Sequence, residues 1–195
     1  MPSLPVSRAN AVEILRLYNK DLRDQIHYLE SEAVMMKLAE KLGEDVEYWG
    51  MLGLLHDIDW GITKENPKEH LTKAPEILSD AGFDDEFINI ILSHGYGFEE
   101  LPELKDKIRT KKIEHALAAS ETITGLIHAY ALMRGNRVSD MEISGLMKKF
   151  KDKTFAAGVN REIIKEIEKL GISLEGFFEI AIEGIKNIKD VIGLD

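Results

Sequence analysis

Apolar positions recur every three to four residues along almost the whole chain, with little strict alternation and few β-branched runs. That period predicts an all-α protein. Turn and cap residues divide the pattern. Ser7 can cap a first helix running to about Tyr18, and Asp21 opens a second through Leu42, where Gly43 stops it. Asp45 caps a third that is expected to end near Ile58, and Trp60 with Gly61 begins a loop. Asn66-Pro67 starts a fourth with Pro in its first turn, ending at Gly82. Asp84 begins a fifth that reaches His94, before Gly95 and Gly97. Pro102 to Arg134 reads as two helices with a break near Thr110, and Gly135-Asn136 is a stop signal. Ser139 can cap Asp140 to about Lys151, Asn160 starts another helix, and Ser173 opens the last, to about Ile192. There is no internal repeat and no low-complexity linker. Residues 1–195 are therefore expected to form a single helical domain. The stretch around Gly135 would divide a core of about residues 21–134 from a three-helix extension of about residues 136–195.

Polar residues interrupt the apolar stripes at informative places. His56 follows Trp49 and Leu52 at seven and four residues, His70 precedes Ala74 and Ile77, and His94 follows Phe87, Ile90 and Ile91. Glu121 follows Ile113 and Leu117 on their stripe, and His27 lies one step beside the stripe Leu22, Ile26, Leu29, Ala33. Burying such groups costs free energy unless they are hydrogen-bonded or metal-bound. One inward His is ordinary core material. Five helices each carrying a His or carboxylate at or beside the inward face point to a shared site, because one metal centre satisfies several at once. The sharpest local signal is Leu54-Leu55-His56-Asp57-Ile58-Asp59, an apolar helix running into adjacent His and Asp. Asp59 is expected either to order the loop that follows, to hold a histidine, or to cap the turn.

Composition narrows the chemistry. The chain has 195 residues, six histidines and no cysteine. Thiolate catalysis, disulfides and iron–sulfur clusters are excluded, and any metal must be held by imidazole and carboxylate. The formal net charge of −10 argues against extended nucleic acid as a partner, since such binding neutralises phosphates. No apolar run reaches the roughly 18 residues a membrane span requires. Met1 to Asn10 lacks the pattern of a signal peptide, so a cytoplasmic location is the default expectation. Against the acidic balance stands one basic stretch, with Lys148, Lys149, Lys151, Lys153 and Arg161 within 14 residues. It reads either as a phosphate clamp or as a solvated helix face. Lys64 and Lys73 lie nearer the histidines in sequence. His128 shares the face of Glu121, whereas His115 is expected to turn away and be exposed.

In order and spacing these residues resemble the HD-domain superfamily of metal-dependent phosphohydrolases. The early His matches His27, in His27-Tyr-Leu-Glu-Ser-Glu-Ala, and the family's central pair matches His56-Asp57. The optional histidines match His70 and His94. The late acid matches Glu121, where the family usually has Asp, and Gly95 stands where some two-metal members have a further His. The resemblance implies an HD-domain-like helical bundle with a C-terminal extension, and Lys148 to Arg161 is similar to a small, poorly characterised HD hydrolase subgroup. It implies that His27, His56, Asp57 and Glu121 hold one divalent metal (Mn, Ni, Fe, Zn or Mg). Asp57 would bridge to a second held by His70 and His94, or these two would donate to phosphate in a one-metal site.

The implied activity is cleavage of a phosphoester of a small metabolite or nucleotide by metal-activated water, with Asp57, His70 and His94 at the reacting centre. Lys73, Lys149, Lys151, Lys153 and Arg161 would contact the substrate. Two other readings stay open: a non-catalytic module that senses a nucleotide or a metal, and an HD-type oxygenase. A homo-oligomer is also left open.

Overall fold

The structure is a computed structural model that describes residues 3–195. Its helices are α1 (Arg8–Tyr18), α2 (Leu22–Leu42), α3 (Val46–Leu55), α4 (Trp60–Thr63), α5 (Ala74–Asp80), α6 (Asp85–Ser93), α7 (Lys112–Met133), α8 (Ile143–Lys151), α9 (Arg161–Lys165), α10 (Leu174–Asn187) and α11 (Lys189–Ile192), with short 3-10 turns at Pro67–Glu69 and Glu166–Leu170. No strand occurs among the described residues, as the helical period requires. Nor is any helix among them long and apolar enough to cross a membrane.

The caps formed as their chemistry dictates. Ser7, Asp21, Asp45, Asp84, Asn160 and Ser173 each accept a backbone N–H of the turn they open, and Gly43 ends α2 in the left-handed conformation. Helix α2 is the centre of the bundle and packs on α3, α7 and α10. Tyr28, Val34, Met35 and Leu38 on it are wholly buried. Its backbone is approached from both sides at the same height. A Cβ on Gly53 of α3 would lie 2.5 Å from the Ser31 carbonyl oxygen, and one on Gly184 of α10 would lie 2.7 Å from that of Ala33. The two glycines let three helices meet without side chains between them.

Several sequence expectations are corrected, each for a local reason. The third helix stops at Leu55, not near Ile58, and residues 56–59 form a tight turn in which Ile58 and Trp60 donate N–H three residues back. The predicted loop at Trp60 is instead α4, whose Gly61 N–H donates to the side chain of Asn19. The expected continuous helix from Asn66 to Gly82 is broken between Glu69 and Ala74. There the N–H groups of Leu71, Lys73 and Ala74 donate to the Asp59 carboxylate rather than to a helix, and Leu71 takes φ 66°.

Residues 102–106 form turns and 107–110 are irregular, so no helix forms there. Gly97 N–H donates forward to the Leu104 carbonyl, and Arg109 is tied to the carbonyls of Ser93, His94 and Tyr96. Helix α8 begins at Ile143, not Asp140; Arg134 and Arg137 bind the Asp140 carboxylate, and the Asp195 carboxylate accepts the N–H groups of Val138 and Ser139 in the turn before it. The last predicted helix is divided at Ile188 into α10 and α11.

An ion cluster and a Lys37–Glu183 pair stitch the C-terminal extension to the core. Glu166 accepts two hydrogen bonds from Arg109 at 2.8 Å and one from His115 at 2.5 Å. His115 is 5% exposed, so its expected turn toward solvent is overturned. Burial alone would raise the Glu166 carboxyl, but Arg109 and His115 outweigh it and hold it below its usual value.

Two outcomes follow from this packing. Gly53→Ala is expected to destabilise the fold by about 1–3 kcal/mol in denaturant unfolding, because its Cβ meets backbone that has no room to yield. A stability within error of the parent's would show that α2 and α3 tolerate separation. A carboxyl lowered by folding contributes stability above its unfolded pKa of roughly 4.3 and loses it as the pH falls through the folded value. Glu166→Gln should therefore cost more stability at pH 7 than at pH 3, and equal losses at the two pH values would contradict that role.

Candidate metal centre

Five of the sequence-predicted residues converge at one end of the bundle. Helix α2 supplies His27, the turn after α3 supplies His56 and Asp57, the broken segment before α5 supplies His70, and the end of α6 supplies His94. His27 Nε2 and His56 Nε2 are 3.1 Å apart, and His70 Nε2 and His94 Nε2 are 3.4 Å apart. Asp57 lies between the two pairs. Its Oδ1 is 3.2 Å from His70 Nε2 and 3.1 Å from His94 Nε2, while its Oδ2 is 3.5 Å from His56 Nε2 and 4.0 Å from His27 Nε2. Donor atoms of His27, His56 and Asp57 lie within 4.8 Å of one another, as do those of Asp57, His70 and His94. Either trio could hold a metal ion, and the shared carboxylate could bridge two.

What lies behind each ring decides which nitrogen faces the centre. His56 Nδ1 donates to the Gly53 carbonyl at 2.8 Å and His94 Nδ1 to the Ile91 carbonyl at 2.7 Å. His70 Nδ1 donates to Asp59 Oδ1 at 3.2 Å. His27 Nδ1 lies 2.9 Å from Thr124 Oγ1, whose single proton goes to the Glu121 carbonyl, so His27 is the donor. All four rings thus carry Nδ1–H and turn Nε2 to the centre, where a neutral ring presents a lone pair. Lone pairs this close repel one another unless a cation lies between them, so the donor set fits a divalent metal.

Protons compensate the charge when no metal does. Burial opposes charge on His70, but Asp57 and Asp59 outweigh it and raise its pKa to about 10. Complete burial instead drives His56 down to about 3. Burial would raise the Asp57 carboxyl, yet the surrounding histidines hold it well below the usual carboxylate range.

Asp59 does two of the things its position suggested. It is fully buried, it orients His70 through Oδ1, and it collects the N–H groups of Leu71, Lys73 and Ala74. Asn19 was not foreseen. It is also fully buried, donates to the Ile58 carbonyl at 2.7 Å, and accepts from Tyr28 Oη and Gly61 N. It thereby pins the His56–Asp59 turn to the end of α1. Thr124, which orients His27, and Arg109, which grips the carbonyl of His94, were also missed as site residues.

Other predicted site residues sit elsewhere. Glu121 lines the cavity beside the histidines but belongs to neither trio. Its carboxylate accepts from Thr122 Oγ1, burial pushes its pKa up, and its contribution to His27 is the backbone carbonyl that takes Thr124's proton. None of the five predicted substrate cations lines that cavity. Lys73 is exposed, as are Lys151 and Lys153. The Lys149 ammonium rests over the rings of Phe155 and Tyr130 at 4.8 and 5.9 Å. Arg161 donates to the carbonyls of Asp152, Phe155, Ala156 and Val159, so it shapes a loop. Lys64 pairs with Asp21 and Asp24. His128 is bound to Glu30 at 2.7 Å and lies off the cavity.

The cavity over the centre holds about 440 Å³. It is lined by His27, Asp57, His70 and His94 of the centre, by Trp60, Phe98 and Leu101, and by Gly158, Val159 and Ile163 of the extension.

Comparison with known proteins identifies the family. The family model for the HD domain matches residues 25–127, more than half of the chain. Ribonuclease Y from Pseudothermotoga lettingae is 30% identical over 155 residues, which cover 78% of this chain and 29% of that protein. The chain thus spans less than a third of that relative's length. No solved structure matches. The family match ends at residue 127, just past Thr124, and so takes in every donor that converges on the centre. This chain belongs to the HD-domain superfamily of metal-dependent phosphohydrolases.

Proposed function

We propose that this protein cleaves a phosphoester of a small metabolite or nucleotide, with His27, His56, Asp57, His70 and His94 holding one or two divalent cations. The observation that carries this reading is the set of four Nε2 lone pairs converging on both oxygens of Asp57. A divalent cation there supplies a Lewis acid for the phosphoryl oxygens and a water activated near neutral pH. The chain's own residues do the rest. Asp57 holds its negative charge between the two histidine pairs. Asp59, Thr124 and the carbonyls of Gly53 and Ile91 fix each ring so that no Nε2 has to reorient when substrate enters. Because His70 and His94 spend Nδ1–H on acceptors behind them, their Nε2 atoms favour ligation over donation to a phosphoryl oxygen.

A small substrate accords better with these features than extended nucleic acid does. The matched relative is by name a ribonuclease, but this chain's net charge is −10 and neither Lys nor Arg lines its cavity.

Elemental analysis of the purified protein should find divalent metal, and a phosphoester panel under Mn, Ni, Fe and Mg should show turnover. Asp57→Ala should lose both bound metal and turnover while keeping its helical circular dichroism; full activity in that variant would falsify the assignment. Asp59→Asn removes the charge and turns one of the two acceptor oxygens into an NH2, so either His70 with Leu71 or Lys73 with Ala74 loses its acceptor. It should weaken metal binding by about 10–100-fold in a chelator competition, and an unchanged affinity would remove Asp59 from the site.

A further inference from the structure

The cavity above the metal centre has a composition that the centre does not require. Its walls are Trp60, Phe98, Leu101, Val159 and Ile163, and the charged groups on them are carboxylates, Glu100 and Glu121. No Lys or Arg lines the cavity, and three cations outside it are already engaged. Arg109 is held by Glu166 and three carbonyls, Arg161 by the carbonyls of its own loop, and Lys64 by two aspartates. A phosphoryl group can be compensated at the centre by metal. A second phosphate or a carboxylate on the leaving group would meet apolar walls and two acids, with Thr122 and Asn160 as the remaining polar side chains and no cation to pair with.

Part of the lining comes from outside the matched family region. Gly158, Val159, Asn160 and Ile163 all follow residue 127. Their position is built in. Arg161 grips the carbonyls of Phe155, Ala156 and Val159, and Asn160 spends its side-chain oxygen capping α9. A Cβ on Gly158 would meet nothing within 4 Å, and its φ lies outside the left-handed region. Space is therefore open at Gly158, which lines the cavity, and no left-handed backbone conformation requires glycine there.

We propose that the segment Gly158–Ile163 is the wall against which the leaving group lies, and that it accepts an uncharged apolar group about the size of an aromatic ring on a single phosphate. This rests on the reading of the centre as a phosphoester site. The chain discriminates against polyphosphates and against leaving groups that carry a carboxylate. Gly158 sets the size of group that fits.

Titration calorimetry of the full-length, manganese-loaded protein with three phosphonates tests it without turnover. Phenylphosphonate should bind on the order of tenfold more tightly than methylphosphonate, from the apolar area its ring buries. The analogue 3-phosphonopropionate, which carries a carboxylate in place of the ring, should bind no more tightly than methylphosphonate. Gly158→Leu should bring the phenyl-to-methyl ratio toward one, and Gly158→Ala should lower it less. Equal affinities for the three compounds, tighter binding of 3-phosphonopropionate, a ratio indifferent to Gly158→Leu, or no binding of any phosphonate would each overturn the inference. Phenyl phosphate left unhydrolysed with the binding order intact would support the wall and count against the hydrolase reading alone.

Discussion

A buried carboxylate has to be met by donors, and Asp59 is met by four. It has no exposed surface, and it accepts from His70 Nδ1 and from the N–H groups of Leu71, Lys73 and Ala74. An isolated charge in that position would be prohibitive. Satisfying it bends the chain around the carboxylate, and the bend delivers His70 to the centre. The helix that would otherwise run through this stretch is given up because three of its N–H groups have a stronger acceptor nearby, an ionised one. The turn that carries His56 and Asp57 is fixed from the other side by Asn19, whose two side-chain atoms bind the Ile58 carbonyl and the Gly61 N–H. Function and fold thus share the same hydrogen bonds, two to five residues beyond the residues that do the chemistry.

The same logic runs outward through the molecule. Gly53 brings α3 onto the backbone of α2, which sets His56 within 3.1 Å of His27, and its carbonyl orients the His56 ring. Arg109 holds the carbonyls at the end of α6, where His94 sits, and passes its charge to Glu166 in the extension. The extension is therefore coupled to the centre twice, through Glu166 and through the cavity wall at Gly158–Ile163. Its basic stretch, which in sequence looks like a phosphate clamp, is divided between exposed lysines, a cation resting on aromatic rings and an arginine that braces a loop.

Much of this was legible without coordinates. Caps at Ser7, Asp21, Asp45, Asp84, Asn160 and Ser173 are local events between a side chain and an N–H two or three residues on, so they are written in the sequence. The helical period is equally local, and it placed His27, His56, His70 and His94 at or beside inward faces. The break in the expected 66–82 helix has a tertiary cause. The N–H groups of Leu71, Lys73 and Ala74 are claimed by the Asp59 carboxylate, which precedes that segment. Propensity cannot anticipate a competitor that arrives through tertiary folding. The burial of His115 belongs to the same class, since its partner Glu166 lies 51 residues away.

The sequence by itself determined the all-helical class, the exclusion of thiolate chemistry and the identity and order of the imidazole and carboxylate donors. Those depend on residue type and on a period of a few residues. Only the tertiary structure decided that Asp57 stands between two histidine pairs, that Thr124 orients His27, and that the cavity is walled by apolar groups and acids instead of lysines. These follow from contacts between separate elements, where packing and the need to satisfy buried polar groups outweigh anything a local pattern records.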